Sequence, residues 1–353
     1  YACGINHVFT VINPLSNLNY TWHTNTGIAG FGTTAVYDFI ANGYTGGTLT
    51  FTATDPATGC QAASLPFIVA PCCTGDYTFT DVSASWVYAN YPAIFYINSG
   101  TPCVSLNTGT IAINGTFTID MDMCIDHTQI LLGPDAHIDI IPGIAVNTTG
   151  YTHLHTCNGN YMWQGITVNT DAALSIDHTL VEEAQQAIIC MPNATVNTAS
   201  ASIFNANYKG IVFNLNGAAH TGVLQKTVFE CNHQSNGTAL TLIPPFAGQN
   251  PACGIEINTA AAIKIGNESN SSLFPPSHQN LFRNLNLGID LQNSQAEIVN
   301  NKFENIRRYQ SNVFLSNGYC IKGANPNGLI TEITVGGSNI LPLKIYRSNE
   351  FEN

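Results

Sequence analysis

Val181-Glu-Glu-Ala-Gln-Gln-Ala-Ile188, Phe204-Asn-Ala-Asn-Tyr-Lys-Gly-Ile211 and Phe282-Arg-Asn-Leu-Asn-Leu-Gly-Ile289 share one pattern: a large apolar residue, a short stretch, then a small residue followed by Ile. The second signature recurs at Gly165-Ile166, Ala187-Ile188, Gly210-Ile211, Gly254-Ile255 and Gly288-Ile289, at intervals of 22, 23, 44 and 34 residues. The first recurs at Val181, Phe204, Phe229, Phe282, Phe303 and Phe351, with Asn close behind at Asn232, Asn284, Asn305 and Asn353. A unit near 22 residues built of two or three short strands is one turn of a parallel β-helix. The long intervals are then one turn plus an insertion, at 232–252 and 267–279, with a third insertion after Arg307. Such insertions leave a coil intact, because each turn contacts only its neighbours. Stacking predicts Ile over Ile and Phe over Phe inside, about 4.8 Å apart, with Asn amides laddering at the bends. A leucine-rich solenoid would need a Leu-x-x-Leu-x-Leu consensus, and the sequence has none.

Residues 1–71 have a different rhythm. Alternating segments at 8–12, 18–22, 48–54 and 65–69 are separated by Asn, Gly and Pro turn signals, the pattern of a small antiparallel β-domain. A Cys3–Cys60 bridge is expected to pin its ends. Thr48-Leu-Thr-Phe-Thr-Ala-Thr-Asp55, followed by Gly59-Cys60, resembles the immunoglobulin-like repeats of bacterial surface proteins. Cys3 falls in the first strand, so the Cys-Trp-Cys geometry of antibody domains is not implied. Ala70-Pro71-Cys72-Cys73 marks the boundary; 72–109 reads as connector and N-terminal cap, and 110–353 as the coil. The expected fold is all-β: an immunoglobulin-like β-sandwich followed by a right-handed parallel β-helix.

Charge narrows the partners. Every Lys and Arg lies at or beyond Lys209, so residues 1–208 hold 13 acids and no Lys or Arg, whereas 209–353 hold 9 acids and 10 bases. Nucleic-acid binding and a polybasic membrane anchor both need clustered cations, and both are excluded from the first part. Charged residues make up only 9 % of the chain, and the polar share is carried by 40 Asn and 37 Thr with 30 Gly, a mixture suited to strands and tight turns. No stretch approaches the length of a membrane span. Eleven Cys without a zinc-type C-x-x-C pair fit an oxidising, extracellular setting.

Residues 73–353 resemble the right-handed parallel β-helix modules, of the pectin-lyase-like superfold, found in large secreted proteins of the Bacteroidota. The resemblance rests on Gly115-Thr-Phe-Thr-Ile-Asp120, Ile130-Leu-Leu-Gly-Pro-Asp-Ala-His-Ile-Asp139, Cys157 followed by Met162-Trp-Gln-Gly-Ile166, and Leu174-Ser-Ile-Asp-His-Thr-Leu-Val-Glu-Glu-Ala184. It implies secretion, commonly through the type IX system, and modules like those of gliding adhesins and surface-contact proteins. Ile345-Tyr-Arg-Ser-Asn-Glu-Phe-Glu-Asn353 parallels Ile298-Val-Asn-Asn-Lys-Phe-Glu-Asn305 and then stops, so the coil is expected to continue in a longer protein.

The superfold hosts enzymes, so fold alone decides nothing about activity. Lyases of this kind use a basic residue, and no Lys or Arg exists before Lys209; Arg283 and Arg307-Arg308 read as solvated bend residues. Asn169-Thr170-Asp171 resembles an element of polygalacturonases, but the accompanying Asp-Asp, Gly-His-Gly and Arg-Ile-Lys elements are missing. No catalytic residue is therefore assigned. In Thr118-Ile-Asp-Met-Asp-Met-Cys-Ile-Asp126, alternation buries Ile119, Met121, Met123 and Ile125 and leaves Asp120, Asp122 and Asp126 outside, with Asp139 and His137 one turn on. These carboxylates form the candidate Ca²⁺ site, weighed against a plain solvated acidic strand. His153 and His155 are a candidate metal pair, read otherwise as outward strand residues. A Cys231–Cys253 bridge is expected to close the first insertion, and Cys72 or Cys73 to reach Cys103.

The function expected is structural and adhesive: a rod, stalk or appendage segment of an extracellular or cell-surface protein, not an enzyme. Its expected partners are other modules of the same chain, further copies in an oligomer or filament, and a glycan or cell-surface target. The alternative is a polysaccharide-binding or polysaccharide-degrading β-helix with Trp163 or Tyr309 as stacking platforms.

Overall fold

The computed structural model describes residues 7–24, 27–37, 47–64, 67–69, 72–106, 109–157, 159, 161–232, 241–266, 279–306, 319–324, 333–335 and 350–352. The described residues are all-β apart from one short helix and one 3-10 turn. Its first part is antiparallel. His7–Thr10 pairs with Thr34–Tyr37, and Asn19–Thr24 lies between Gly27–Phe31 and Gly47–Thr54. Gly47–Thr54 also carries Gln61–Ala63 and Phe67–Val69. Trp22 and Leu49 are buried together with Ala35 and Cys72, and the Trp22 indole N–H donates to the Gly32 carbonyl at 2.9 Å.

From Tyr77 onward nearly every pairing is parallel, and the strands fall into three sheets that each receive one strand per turn. The first sheet holds Tyr77–Ser83, Thr110–Ile119, His137–Ile140, Trp163–Val168, Ala184–Cys190, Lys209–Asn214, Cys253–Asn258, Leu287–Gln292 and Tyr319–Ala324. The second holds Gln129–Leu132, His153–Thr156, Leu180–Glu182, Ser202–Asn205, Thr227–Glu230, Asn280–Arg283, Asn301–Glu304 and Glu350–Glu352. The third runs from Phe95–Asn98 through Thr101–Ser105, Met123–Asp126, Ala145–Thr149 and Ala173–Asp177 to Thr195–Ala199. Single bridges of Leu224 to Thr198 and Ile265 carry it on to Ile263–Ile265, Ala296–Ile298 and Ile333–Val335. This is a parallel, β-helix-like solenoid. Thr110–Ile119 belongs to both the first and second sheets and turns the corner at Gly115, where φ is 67° and an added Cβ would strike the Asp81 carboxylate.

The repeat reading holds residue by residue. Ile166, Ile188, Ile211, Ile255, Ile289 and Ile321 are consecutive register partners in the first sheet. In the second sheet Val181, Phe204, Phe229, Phe282, Phe303 and Phe351 are likewise in register. The rings of Phe204, Phe229, Phe282 and Phe303 stack nearly parallel, with centroids 5.1, 4.8 and 5.0 Å apart. At the bend that follows, Asn232, Asn284 and Asn305 form the expected ladder, Asn205 extends it back by one turn, and Asn353 lies outside the described residues. The Asn205 amide donates to the Asn232 carbonyl at 3.0 Å, Asn284 donates to the Asn232 amide oxygen, and Asn305 to that of Asn284.

A second ladder was not anticipated. Where the third sheet turns into the second, Thr128, Thr152, Thr179, Ser202, Thr227, Asn280 and Asn301 occupy one buried column. Their side chains donate to carbonyls left exposed by the corner: Thr152 to Ile125 at 3.2 Å, Ser202 to Ile176 at 3.1 Å, Asn280 to Leu224 at 3.0 Å. An unpaired buried carbonyl is costly, so a short hydroxyl or amide at this position closes each corner.

The coil begins inside the segment read as connector and cap. Strands Tyr77–Ser83 and Thr101–Ser105 already belong to it, and helix Ala84–Asn90 closes the end of the core with Ala84 and Val87 buried. Ser83 caps this helix by accepting from the Trp86 N–H.

The expected bridges need correction. Disulfides join Cys73 to Cys157 and Cys103 to Cys124, and Cys72 is also disulfide-bonded. Cys60 is a free, exposed thiol, so it is not bonded to Cys3, which lies outside the described residues. Cys253 is a free, buried thiol, so the Cys231–Cys253 bridge is not formed. Cys103 pairs with Cys124 because the two are register partners on adjacent strands, one turn apart.

Candidate functional site

The four carboxylates proposed for Ca²⁺ do not converge. Asp120 accepts from the Ser85 backbone N–H at 2.8 Å and its hydroxyl at 2.6 Å, pinning the cap helix. Burial pushes its carboxyl up, but the Ser85 and Ser83 hydrogen bonds outweigh that and hold it below the usual range. Asp122 accepts the Ala145 N–H at 2.8 Å. Asp126, on the third sheet, accepts the Tyr96 hydroxyl at 3.0 Å, and Asp139, on the first sheet, accepts the Asn169 amide at 2.7 Å. Among the described residues no group of three His, Cys, Asp or Glu stands where it could hold a metal ion. The donors are spent inside the fold, so the melting temperature is expected to be the same in millimolar Ca²⁺ and in chelator. A rise of several degrees with Ca²⁺ would show that an ion is held after all.

Asn169-Thr170-Asp171 is a corner: Asn169 brackets Asp139 and the Ile140 carbonyl, and Asp171 takes φ 62°. Trp163 is fully buried and donates its indole N–H to the Glu182 carbonyl at 2.8 Å, so it offers no stacking face. Tyr309, Arg307 and Arg308 lie outside the described residues. Arg283 is not simply solvated; its guanidinium is paired with the Glu230 carboxylate, which is only 4 % exposed.

A titratable cluster lies on the outer face of the second sheet and its bend. His153 and His155 alternate with buried Leu154, so both rings face outward, stacked with centroids 4.1 Å apart. The next turn places Glu182 beside them, with the His153 Nε2 at 2.7 Å from one carboxylate oxygen and the Asn205 amide at 2.6 Å from the other. Glu183 takes the left-handed bend (φ 60°) and accepts the Thr156 hydroxyl. The row continues through Asn205 and Glu230 to Arg283. Two adjacent carboxyls are thereby driven apart. Burial pushes Glu182 up, but hydrogen bonds from His153 and Asn205 prevail and hold it low; burial, with the charge of Glu182, holds Glu183 above the usual carboxylate range. Burial also pushes His155 down, and His153 adds to that.

Glu182, Glu183 and Glu230 escaped the sequence reading because their partners sit 29, 27 and 53 residues away, across turns of unequal length. The available signal was position: Glu182 and Glu183 directly follow the in-register Val181.

A third feature is His220. It is buried at 6 % exposure, accepts the Val196 N–H at Nε2 (3.1 Å), and its Nδ1 has no hydrogen-bond partner among the described residues. It borders a shallow cavity of about 280 Å³ with Lys264 and Glu297, themselves an ion pair at 3.1 Å. Burial pushes the imidazole down to about 4 from 6.5. The unfolded chain therefore takes up the proton first, and stability present above about pH 6.5 falls as pH drops toward 4, by about 3 kcal/mol. His137 and His155, also pushed down by burial, act in the same direction. Urea titrations across this window are expected to show a shallower pH slope for His220→Gln; an unchanged slope would contradict the assignment.

No helix among the described residues is long and apolar enough to cross a membrane. Comparison with protein families, curated proteins and solved structures found no match.

Proposed function

We propose that this chain is a structural and adhesive segment of a large extracellular or cell-surface protein, a rod or stalk rather than an enzyme. The observation that carries the reading is the uninterrupted register of the second sheet, which pairs strand on strand as far as Phe351 and stacks its inward phenylalanine rings from Phe204 to Phe303. A solenoid bound together in this way distributes stability over every neighbouring pair of turns, and its parallel strands leave edges only at the ends. Disulfides at the N-terminal end of the coil suit an oxidising compartment. The absence of Lys and Arg from residues 1–208 denies trypsin-like proteases a cleavage site there.

In its finer form the reading is an immunoglobulin-like module followed by a right-handed β-helix of the pectin-lyase-like kind, exported by the type IX route. Its partners would be further modules of the same chain, or copies of itself in a filament. A second reading rests on Glu182 and Glu183, because neighbouring carboxyls pushed in opposite directions from their usual range are the pattern of an acid–base pair. Their engagement with His153, Asn205 and Thr156 speaks for bracing between turns instead. A screen for reducing ends and unsaturated products over a glycan panel separates the two. No turnover is expected; turnover abolished by Glu183→Gln would overturn the structural reading.

A further inference from the structure

The corner between the third and second sheets recurs once per turn and needs a left-handed residue each time. His127 (φ 47°), Tyr151 (φ 63°), His178 (φ 45°), Ala201 (φ 59°) and Lys226 (φ 54°) fill it, and later turns use Gly266 (φ 93°) and Asn300 (φ 53°). The fold dictates the conformation but not the side chain. Gly and Asn adopt it at least cost, so His, Tyr and His in three successive turns are a choice the corner itself does not require.

Their surroundings supply a reason. Ile125-Asp-His-Thr128 and Ile176-Asp-His-Thr179 repeat the same four residues two turns apart. In each, the imidazole Nδ1 faces the preceding carboxylate, His127 to Asp126 at 2.8 Å and His178 to Asp177 at 3.0 Å. A carboxylate only accepts, so Nδ1 carries a proton, and in the neutral imidazole Nε2 is left as the acceptor. Between the two dyads stands Tyr151, 77 % exposed, its ring edge-on to His178 with centroids 5.4 Å apart. A Cβ at Gly150 would collide with Asp126 and His127, so glycine there lets the first dyad close against the tyrosine's turn. With about 4.8 Å between turns, the imidazoles lie roughly 10 Å apart along the axis with the phenol between them.

The geometry points to a glycan-binding ridge formed by His127, Tyr151 and His178. The Tyr151 ring takes the apolar face of a pyranose, and the two Nε2 atoms accept hydroxyl hydrogens from neighbouring units. The site rests on the adhesive reading and names its ligand class. Charge sharpens that class. Residues 1–208 contain no Lys or Arg, and Asp126 and Asp177 flank the ridge, so uronates and sulfated sugars are repelled. Neutral and amino sugars are the ligands that fit.

The test is calorimetric titration of the full chain with tetrasaccharides of glucose, xylose, mannose, N-acetylglucosamine, glucosamine and galacturonate, with a tetra-arginine peptide as cationic control. At least one neutral or amino sugar is expected to bind. Tyr151→Ala should weaken it about tenfold or more, and Tyr151→Phe, which keeps the ring, by no more than about twofold. His127→Ala and His178→Ala should each weaken it several-fold. Absence of binding across the panel, binding indifferent to Tyr151→Ala, or preference for galacturonate or the peptide would overturn the proposal. None of those results would alter the shape of the particle, on which the rod reading is judged separately.

Discussion

Phe229→Ala is expected to lower the unfolding free energy of the coil by about 4 kcal/mol. The ring is 1 % exposed and lies between Phe204 and Phe282, with centroid separations of 5.1 and 4.8 Å and interplanar angles of 11° and 9°. Truncation removes contacts on both faces at once. The neighbours cannot close the gap, because each is held in place by its own strand pairing to the turns on either side. The cost is therefore transfer energy plus a retained cavity, as for other large core aromatics. Phe229→Leu keeps most of the volume and is expected to cost about 1–1.5 kcal/mol. Combined with Phe282→Ala, the loss should fall short of the sum, since the first truncation has already removed one of the faces that the second would lose. Denaturant titrations measure all three, and a loss below about 1 kcal/mol for Phe229→Ala would contradict the stacked core.

Removing the Cys73–Cys157 bridge should cost about 4.5 kcal/mol, and removing Cys103–Cys124 about 3 kcal/mol, on loop-closure entropy for separations of 84 and 21 residues. The two act at the same end of the coil by different routes. Cys103–Cys124 joins register partners on adjacent strands of the third sheet. Cys73–Cys157 ties the segment entering the first strand to the loop ahead of Trp163, and the Cys73 N–H and carbonyl are both bonded to the buried Asn114 amide. Paired Cys→Ala variants of each bridge, unfolded without reductant, are expected to rank in that order. Cys60→Ser, at a free and exposed thiol, should change nothing. Equal stability of the wild type with and without reductant would contradict the expectation.

What could be read in advance follows from how far apart interacting residues lie in the repeat. The Phe and Ile ladders were legible because each inward position tolerates only large apolar side chains, and these stand out against an Asn- and Thr-rich background. The Asn ladder followed from asparagines standing within three residues behind each Phe. The column from Thr128 to Asn301 was hidden by the same background, since Thr, Ser and Asn are common everywhere in the chain. Cys103 and Cys124 were within reach, because their spacing matches one turn; Cys73 and Cys157 span several turns of unequal length and were not. Alternation placed Asp120, Asp122 and Asp126 outside, but could not say that corners separate them or that Asp139 belongs to another sheet. The Glu182 and Glu230 networks depend on which residue lies one turn above, and that requires the insertions to be counted out first.

The most direct test of the rod reading is cryo-electron microscopy of the native protein that contains this chain. The structure predicts elongated particles in which turns repeat along the long axis at about 4.8 Å. Compact particles without that axial repeat, or a chain whose second-sheet phenylalanines are out of register, would contradict it.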